Sequence, residues 1–385
     1  NWEAMQKDNF TWWRKRFDQM SNYFDAFRID HILGFFRIWS IPAHAVEGIM
    51  GRFMPAIPVS INEIFSKSIT FERTRYTEPY VTDSILIDLF EDKKDEVKKT
   101  FFSGLKLKEK FNTQRKVEAY FKTDKTFDNK IKQGLYDLIS NVIFFEVPDS
   151  NGQEFHFRFA MQDTYSFKNL DRHSQKELTA IYVDYFFHRQ DELWKKEAMK
   201  KLPGLKSNTA MLVCGEDLGM VPHCVPEVME QLGILSLEIQ RMPKKTGSEF
   251  FHPNDAPYLS VVSPSTHDMS TIRGWWEEDN FKTKHFFNHL MGQNGEPPFY
   301  CEAWINKEII LQHLYSPAMW SIFQLQDLMG MNADLRREDP NEERINIPAE
   351  AEHYWNYRMH INLEDLLNEK AFTEELKNYI KESGR

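Results

Sequence analysis

The chain has 385 residues, 41% of them hydrophobic, which is enough for one large domain or two ordinary ones around a substantial core. Its net charge of −10, with no long basic run, excludes nucleic acid as the main partner. No apolar run reaches the roughly 18 residues of a membrane span, so no membrane partner is expected. The three cysteines, Cys214, Cys224 and Cys301, form no C-x-x-C pair. That usage suits reduced thiols and a cytoplasmic setting. The chain opens on Asn1 rather than methionine, which suggests a piece of something longer.

In chain order, TWWRKRFDQMSN (11–22) predicts a helix capped by Thr11, with Trp13, Phe17 and Met20 on one face. FDAFRID (24–30) follows as a strand. A short apolar run after an amphipathic helix predicts an α/β unit with buried parallel strands. The same grammar returns in TAMLVCGEDLG (209–219), LSLEIQRM (235–242), YLSVVSPSTHD (258–268) and WSIFQLQDLMG (320–330). Helical patterns separate these runs: VPEVMEQLG, FKTKHFFNHLM and INKEIILQHLY. The fold class expected is therefore α/β, with an open or closed parallel sheet.

Residues 58–200 break this rhythm. They carry charged helical segments, EDKKDEVKKTFF and DKTFDNKIKQGLYDLI. They also carry a hairpin signal, NVIFFEV and EFHFRF around DSNG, where Asn151-Gly152 suits a type I′ turn. The organisation expected is a first barrel-type segment over 1–57, a mainly helical inserted subdomain over 58–200, and the remainder of the catalytic unit over 201–385.

Chemistry gathers at the strand ends. Arg28 and Asp30 alternate onto one face of FDAFRID, away from Phe27 and Ile29. An arginine beside a carboxylate favours its ionised form, which a carboxylate nucleophile needs. Glu216 and Asp217 follow the second run, and His267 and Asp268 the fourth. The three acids Asp30, Glu216 and Asp268 lie 186 and 52 residues apart, yet each ends a strand of one sheet. Carboxylates flanking one bond are the constellation for glycosidic chemistry. Asp217 is read as a helix cap in preference to a hydrogen-bonding partner of Glu216. Trp39, Trp275 and Trp276 are candidate stacking surfaces for sugar rings. There is no H-E-x-x-H, no third ligand beside His31 or His267, and no Gly-rich phosphate loop, so neither a metal nor another cofactor is expected.

In order, RIDHILGFFRIWSIPA, CGEDLGMVP, STHDMSTIRGWW and QDLMGM…ERINIP…YWNYR resemble the 4-α-glucanotransferases. These are the amylomaltases or disproportionating enzymes of glycoside hydrolase family 77. The long insertion resembles the plant-type branch. The resemblance implies a (β/α)8 TIM barrel, here incomplete and holding strands four to eight, with the chain a C-terminal part. It implies transfer of α-1,4-linked glucosyl or maltosyl units by a retaining double displacement. The roles it implies are nucleophile for Asp30, general acid and base for Glu216, and transition-state stabiliser for Asp268. Arg28, His267 and His31 would contact the sugar, with Trp275 and Trp39 as stacking residues. The implied partners are maltose, malto-oligosaccharides and glycogen- or starch-like glucans, and an open barrel edge invites self-association. The isolated chain is expected to be inactive or nearly so. An α-amylase-like hydrolase and an inactive glucan-binding fragment are the alternatives. Two departures from the family pattern bear on donor preference: Met269 stands where many members have Asn, and ERINIPAEAEHYW replaces a Gly-Asn-containing run.

Overall fold

A computed structural model describes residues 1–245 and 247–385. The chain falls into two compact units. The first comprises 1–33, 201–221 and 225–385, and the second comprises 34–200 with 222–224. The first break thus lies at 33, ahead of the expected 57. Residues 34–57 belong with the second unit, where Ala45 and Met50 join its core and the Val46 and Glu47 N–H groups donate to the Gln114 side-chain oxygen.

The first unit is built on short parallel strands. β1 (Ala26–Ile29) pairs with β2 (Leu212–Gly215), placing Ile29 opposite Gly215. A bridge from Cys214 to Leu235 leads to β3 (Ser236–Ile239). β3 pairs with β4 (Ser260–Ser263), and β4 with β5 (Trp320–Ser321). Every pairing is parallel and helices intervene, as the periodicity predicts, and the strands lie in chain order. α1 (Thr11–Met20) precedes β1, α2 (Cys224–Leu232) follows β2, and α3 (Ile272–Glu278), α4 (Asn280–His289) and α5 (Ala303–Leu314) lie between β4 and β5.

Three local readings change. The 11–20 helix, α1, is led by Asp8, not Thr11. The Asp8 carboxylate accepts from the Thr11 N–H at 3.2 Å, and Phe10 takes the left-handed cap position. The run 320–330 is a strand only over two residues, and 325–329 is a short helix, α6. Its apolar run is too short and too glutamine-rich to extend a buried strand. Asp217 caps no helix, since α2 begins seven residues later, at Cys224.

Phe17 of α1 is buried and meets Phe27 of β1 at 4.8 Å between ring centroids, fixing the helix under the strand. Leu235, Leu237, Ile239 and Val261 form the apolar heart of the sheet. A larger cluster around Trp276, Phe286, Ile305 and Ile310 binds α3, α4 and α5 together.

The second unit has its own core, from Ile85 to Ile139, around Phe101, Phe111 and Phe121. Its hairpin is the predicted one. Phe144–Glu146 pairs with Glu154–Phe157, and Asn151 and Gly152 both take positive φ, 51° and 72°.

Each unit buries one neutral histidine. Burial lowers His313 in the first unit and His156 in the second from 6.5 to about 4. The native form therefore takes up its proton later than the unfolded chain. The stability is complete above pH 6.5 and is lost as pH falls from there toward 4, by about 1.4 kcal/mol per pH unit per histidine. Urea unfolding across this range should show both units weakening. A flat profile contradicts the assignment.

Candidate active site

The pairing of β1 with β2 sets the site. Because Ile29 lies opposite Gly215, the residues that follow each strand emerge side by side. The Glu216 N–H donates to the Ile29 carbonyl at 2.9 Å, and the Ile32 N–H donates to the Glu216 carbonyl at 3.0 Å. Between them the chain turns at His31, whose φ of 49° lies in the left-handed region that few side chains visit. That turn aims the His31 N–H at Glu216 Oε2, 2.9 Å away. The other carboxylate oxygen, Oε1, accepts the Leu218 N–H at 2.8 Å. Both oxygens of Glu216 are thus held by backbone, beside the residue that follows Asp30. Gly215 makes this approach possible: a Cβ there would stand 2.7 Å from Ile32 Cδ1 and 2.9 Å from Met229 Cε.

Asp30 projects into solvent and pairs with Arg28 at 2.8 Å. The two side chains are 78% and 41% exposed, which leaves the carboxylate accessible to a ligand. After β4, His267 Nε2 lies 3.2 Å from Asp268 Oδ2, and Asn346 donates through Nδ2 to Asp268 Oδ1 at 2.7 Å. A cavity of about 390 Å³ links the two halves. Arg28 and His267, the partners of Asp30 and Asp268, both line it, as do Cys214, Leu237, Trp320 and Gln324. Its walls are the side chains of the sheet and its rim is polar.

Asp217 turns away from this rim. It is buried, accepts the Leu237 N–H at 3.0 Å and pairs with Lys244 at 2.7 Å. Lys244 also binds Glu238 at 2.7 Å. Burial pushes the Asp217 carboxyl above its usual range, and Lys244 opposes that rise. The residue adjoining Glu216 therefore ties the end of β2 to β3.

Trp39, Trp275 and Trp276 are not among the residues lining this cavity. Trp275 packs edge-on against Phe250 and Phe286 and under the Arg241 guanidinium, outside the cavity. Trp276 is fully buried and donates its indole N–H to the Pro298 carbonyl. Trp39 belongs to the second unit, where it meets Phe53 and Phe159 and donates to the Gly48 carbonyl at 2.8 Å. Beside the loop after β4 stands Trp355, 5.5 Å from the His267 ring and 56% exposed.

Asn346 carries no assignment in the sequence reading, although it lies within the quoted ERINIP. Its position rests on a buried anchor three residues earlier. Glu343 and Arg273 pair at 2.5 Å with side chains 1% and 5% exposed. Asp327 is a second unassigned acid. It is buried, accepts from the Ser265 hydroxyl and takes the Ile272 N–H at 2.7 Å, joining the β4 loop to α3. Among the described residues, no cluster of three His, Cys, Asp or Glu stands ready to hold a metal ion.

A parallel α/β unit that gathers three carboxylates at its strand ends has the make-up of a protein acting on glycosidic bonds. Residues 1–364 match the family model described as 4-alpha-glucanotransferase, and the chain belongs to that family. It is 40% identical over its whole length to the 4-alpha-glucanotransferase DPE2 of Oryza sativa subsp. japonica, covering 42% of that protein. It is 29% identical over 54% of its length to the 4-alpha-glucanotransferase of Chlamydia trachomatis serovar D, covering 37% of that protein. The chain thus spans less than half the length of these curated relatives. Among solved structures it is similar to the amylomaltase from Streptococcus agalactiae in complex with acarbose. That likeness has a TM-score of 0.48 at 16% identity and covers the whole of this chain and 46% of that one.

Proposed function

We propose that the chain carries the catalytic carboxylates of a 4-α-glucanotransferase of the plant-type branch. It moves α-1,4-linked glucosyl or maltosyl units between malto-oligosaccharides, maltose or larger glucans. The observation that carries this reading is the seating of Glu216. Its carboxylate is held by the His31 N–H at 2.9 Å, one residue from the exposed Asp30.

In the reaction, Asp30 attacks the anomeric carbon while Glu216 gives its proton to the departing glycosidic oxygen, leaving a glycosyl–Asp30 ester. The 4-hydroxyl of an acceptor sugar then loses its proton to Glu216 and displaces Asp30, so the configuration is retained. A retaining pair works at a separation of roughly 5 Å. Asp268, held by His267 and Asn346, receives the hydroxyls of the distorted sugar. Arg28 steadies Asp30, and His31 holds Glu216 through its backbone. The five parallel strands are read as strands four to eight of a (β/α)8 glycosidase barrel, with 34–200 inserted. The outer strands β1 and β5 are the edges through which the chain would associate with itself or with further strands. Its setting is the cytoplasm.

The test is incubation with maltotriose and separation of products by chain length. Transfer yields glucose together with oligomers longer than the substrate, and hydrolysis yields shorter products only. The same assay on a chain extended at its amino end decides whether further strands are needed. In an active form, Asn346→Ala should lower kcat roughly tenfold or more with little change in KM, because it loosens Asp268 rather than the substrate. Steady-state kinetics check this, and an unchanged kcat sinks the role given to Asn346.

A further inference from the structure

The second unit holds a cavity of about 550 Å³ that the catalytic reading does not use. It falls within the roughly 300–1,000 Å³ range of small-molecule sites. The hairpin of Ile38–Ser40 and Arg52–Met54 supplies one wall. Ser40 and Arg52 are direct cross-strand partners, so both side chains stand on one face, while Trp39 and Phe53 share the other and pack together at 4.7 Å. His44 and Met50 close the hairpin side, and Phe145 and Glu146 of the neighbouring hairpin form the opposite wall.

The charged groups differ in how far they are engaged. Arg73 grips Glu146 with two hydrogen bonds of 2.7 Å, and the Gly152 N–H adds a third at 2.9 Å. The Glu146 carboxylate is therefore fixed in place, with one lone pair on Oε2 left to accept. Arg52 makes no ion pair or side-chain hydrogen bond with the described residues, and it is half-buried. A guanidinium without a protein partner presents its five donors to whatever enters the cavity.

We propose that this cavity is a second, non-catalytic saccharide site, taking a short stretch of α-linked glucan. A sugar hydroxyl both donates and accepts, so it uses Arg52 and His44 on one side and Glu146 on the other. Phosphate would gain from Arg52 but be repelled by Glu146. The apolar atoms of Met50 and Phe145 suit the C–H faces of a pyranose ring. The choice of an α-glucan rests on the function proposed above. The site itself rests on the cavity.

Hydrogen exchange of the whole chain with and without maltoheptaose tests it. Protection is expected in peptides covering 40–52 and 144–148, in the wild type and equally in Asp30→Asn. Arg52→Gln should raise the half-saturating concentration for those peptides roughly tenfold or more. His44→Ala, which removes a surface ring, should raise it in the same direction and guards against a folding artefact at Arg52. Absence of protection there, protection indifferent to both variants, or equal protection by inorganic phosphate overturns the proposal. Protection at 40–52 without any at 26–31, 215–218 and 265–268 would leave this site standing and tell against the catalytic reading.

Discussion

Asp30→Asn is expected to abolish glycosyl transfer, lowering kcat roughly ten-thousandfold or more. An amide oxygen is a poor nucleophile for the anomeric carbon, so no covalent sugar forms and the second displacement never begins. Structure should survive, because Asp30 is exposed and, among the described residues, its ion-pair partner is the exposed Arg28 at 2.8 Å. An ion pair this open is worth little to stability. Circular dichroism and urea unfolding should overlay with the wild type while turnover disappears. Residual transfer above about one per cent of wild type would assign the nucleophile elsewhere.

Arg273→Met should have the largest effect on stability. Arg273 and Glu343 are almost wholly inaccessible and paired at 2.5 Å. Removing the cation strands a buried carboxylate that burial already pushes upward. Breaking one partner of such a pair typically costs about 3–5 kcal/mol. The loss reaches the site as well as the fold. Glu343 begins the loop that delivers Asn346 to Asp268, and the Arg344 guanidinium fastens the same loop by donating to the Asn346 carbonyl at 3.0 Å. The variant should lower the urea midpoint and reduce turnover together. Exchanging both residues for apolar ones of similar volume should recover much of the stability, since no uncompensated charge remains. It should leave activity low if the loop shifts.

The sequence showed the strand-end acids because the pattern is local: an apolar run, then charge. It also showed the parallel strands with helices between them and the Asn151-Gly152 turn. It could not show how Glu216 is seated. That depends on the left-handed backbone of His31 and on register across 185 residues of intervening chain, which no local signal encodes. It mistook Asp217 for a cap because acids before helices often are caps. The Lys244 that claims it lies 27 residues on and in no helical relation to it. The tryptophans are ambiguous for a related reason. An aromatic pair such as Trp275-Trp276 reads alike as platform or core, and helix packing alone decides. Trp355 lies by the site, yet its run has no periodicity to mark it. The unit boundary lies at 33 because Ala45 and Met50 pack into the core formed by residues 85–139, a long-range contact with no local signal.

The most direct test of the central claim is to trap the covalent sugar. Glu216→Gln, within the chain or within a longer protein that carries it, would be given an α-maltosyl fluoride, whose leaving group needs no acid. Without a base, the second displacement stalls. The account predicts that intact mass rises by one maltosyl unit and that peptide mapping places it on Asp30. A glycosyl group on another carboxylate, or steady turnover of the fluoride to product of inverted configuration, would contradict it.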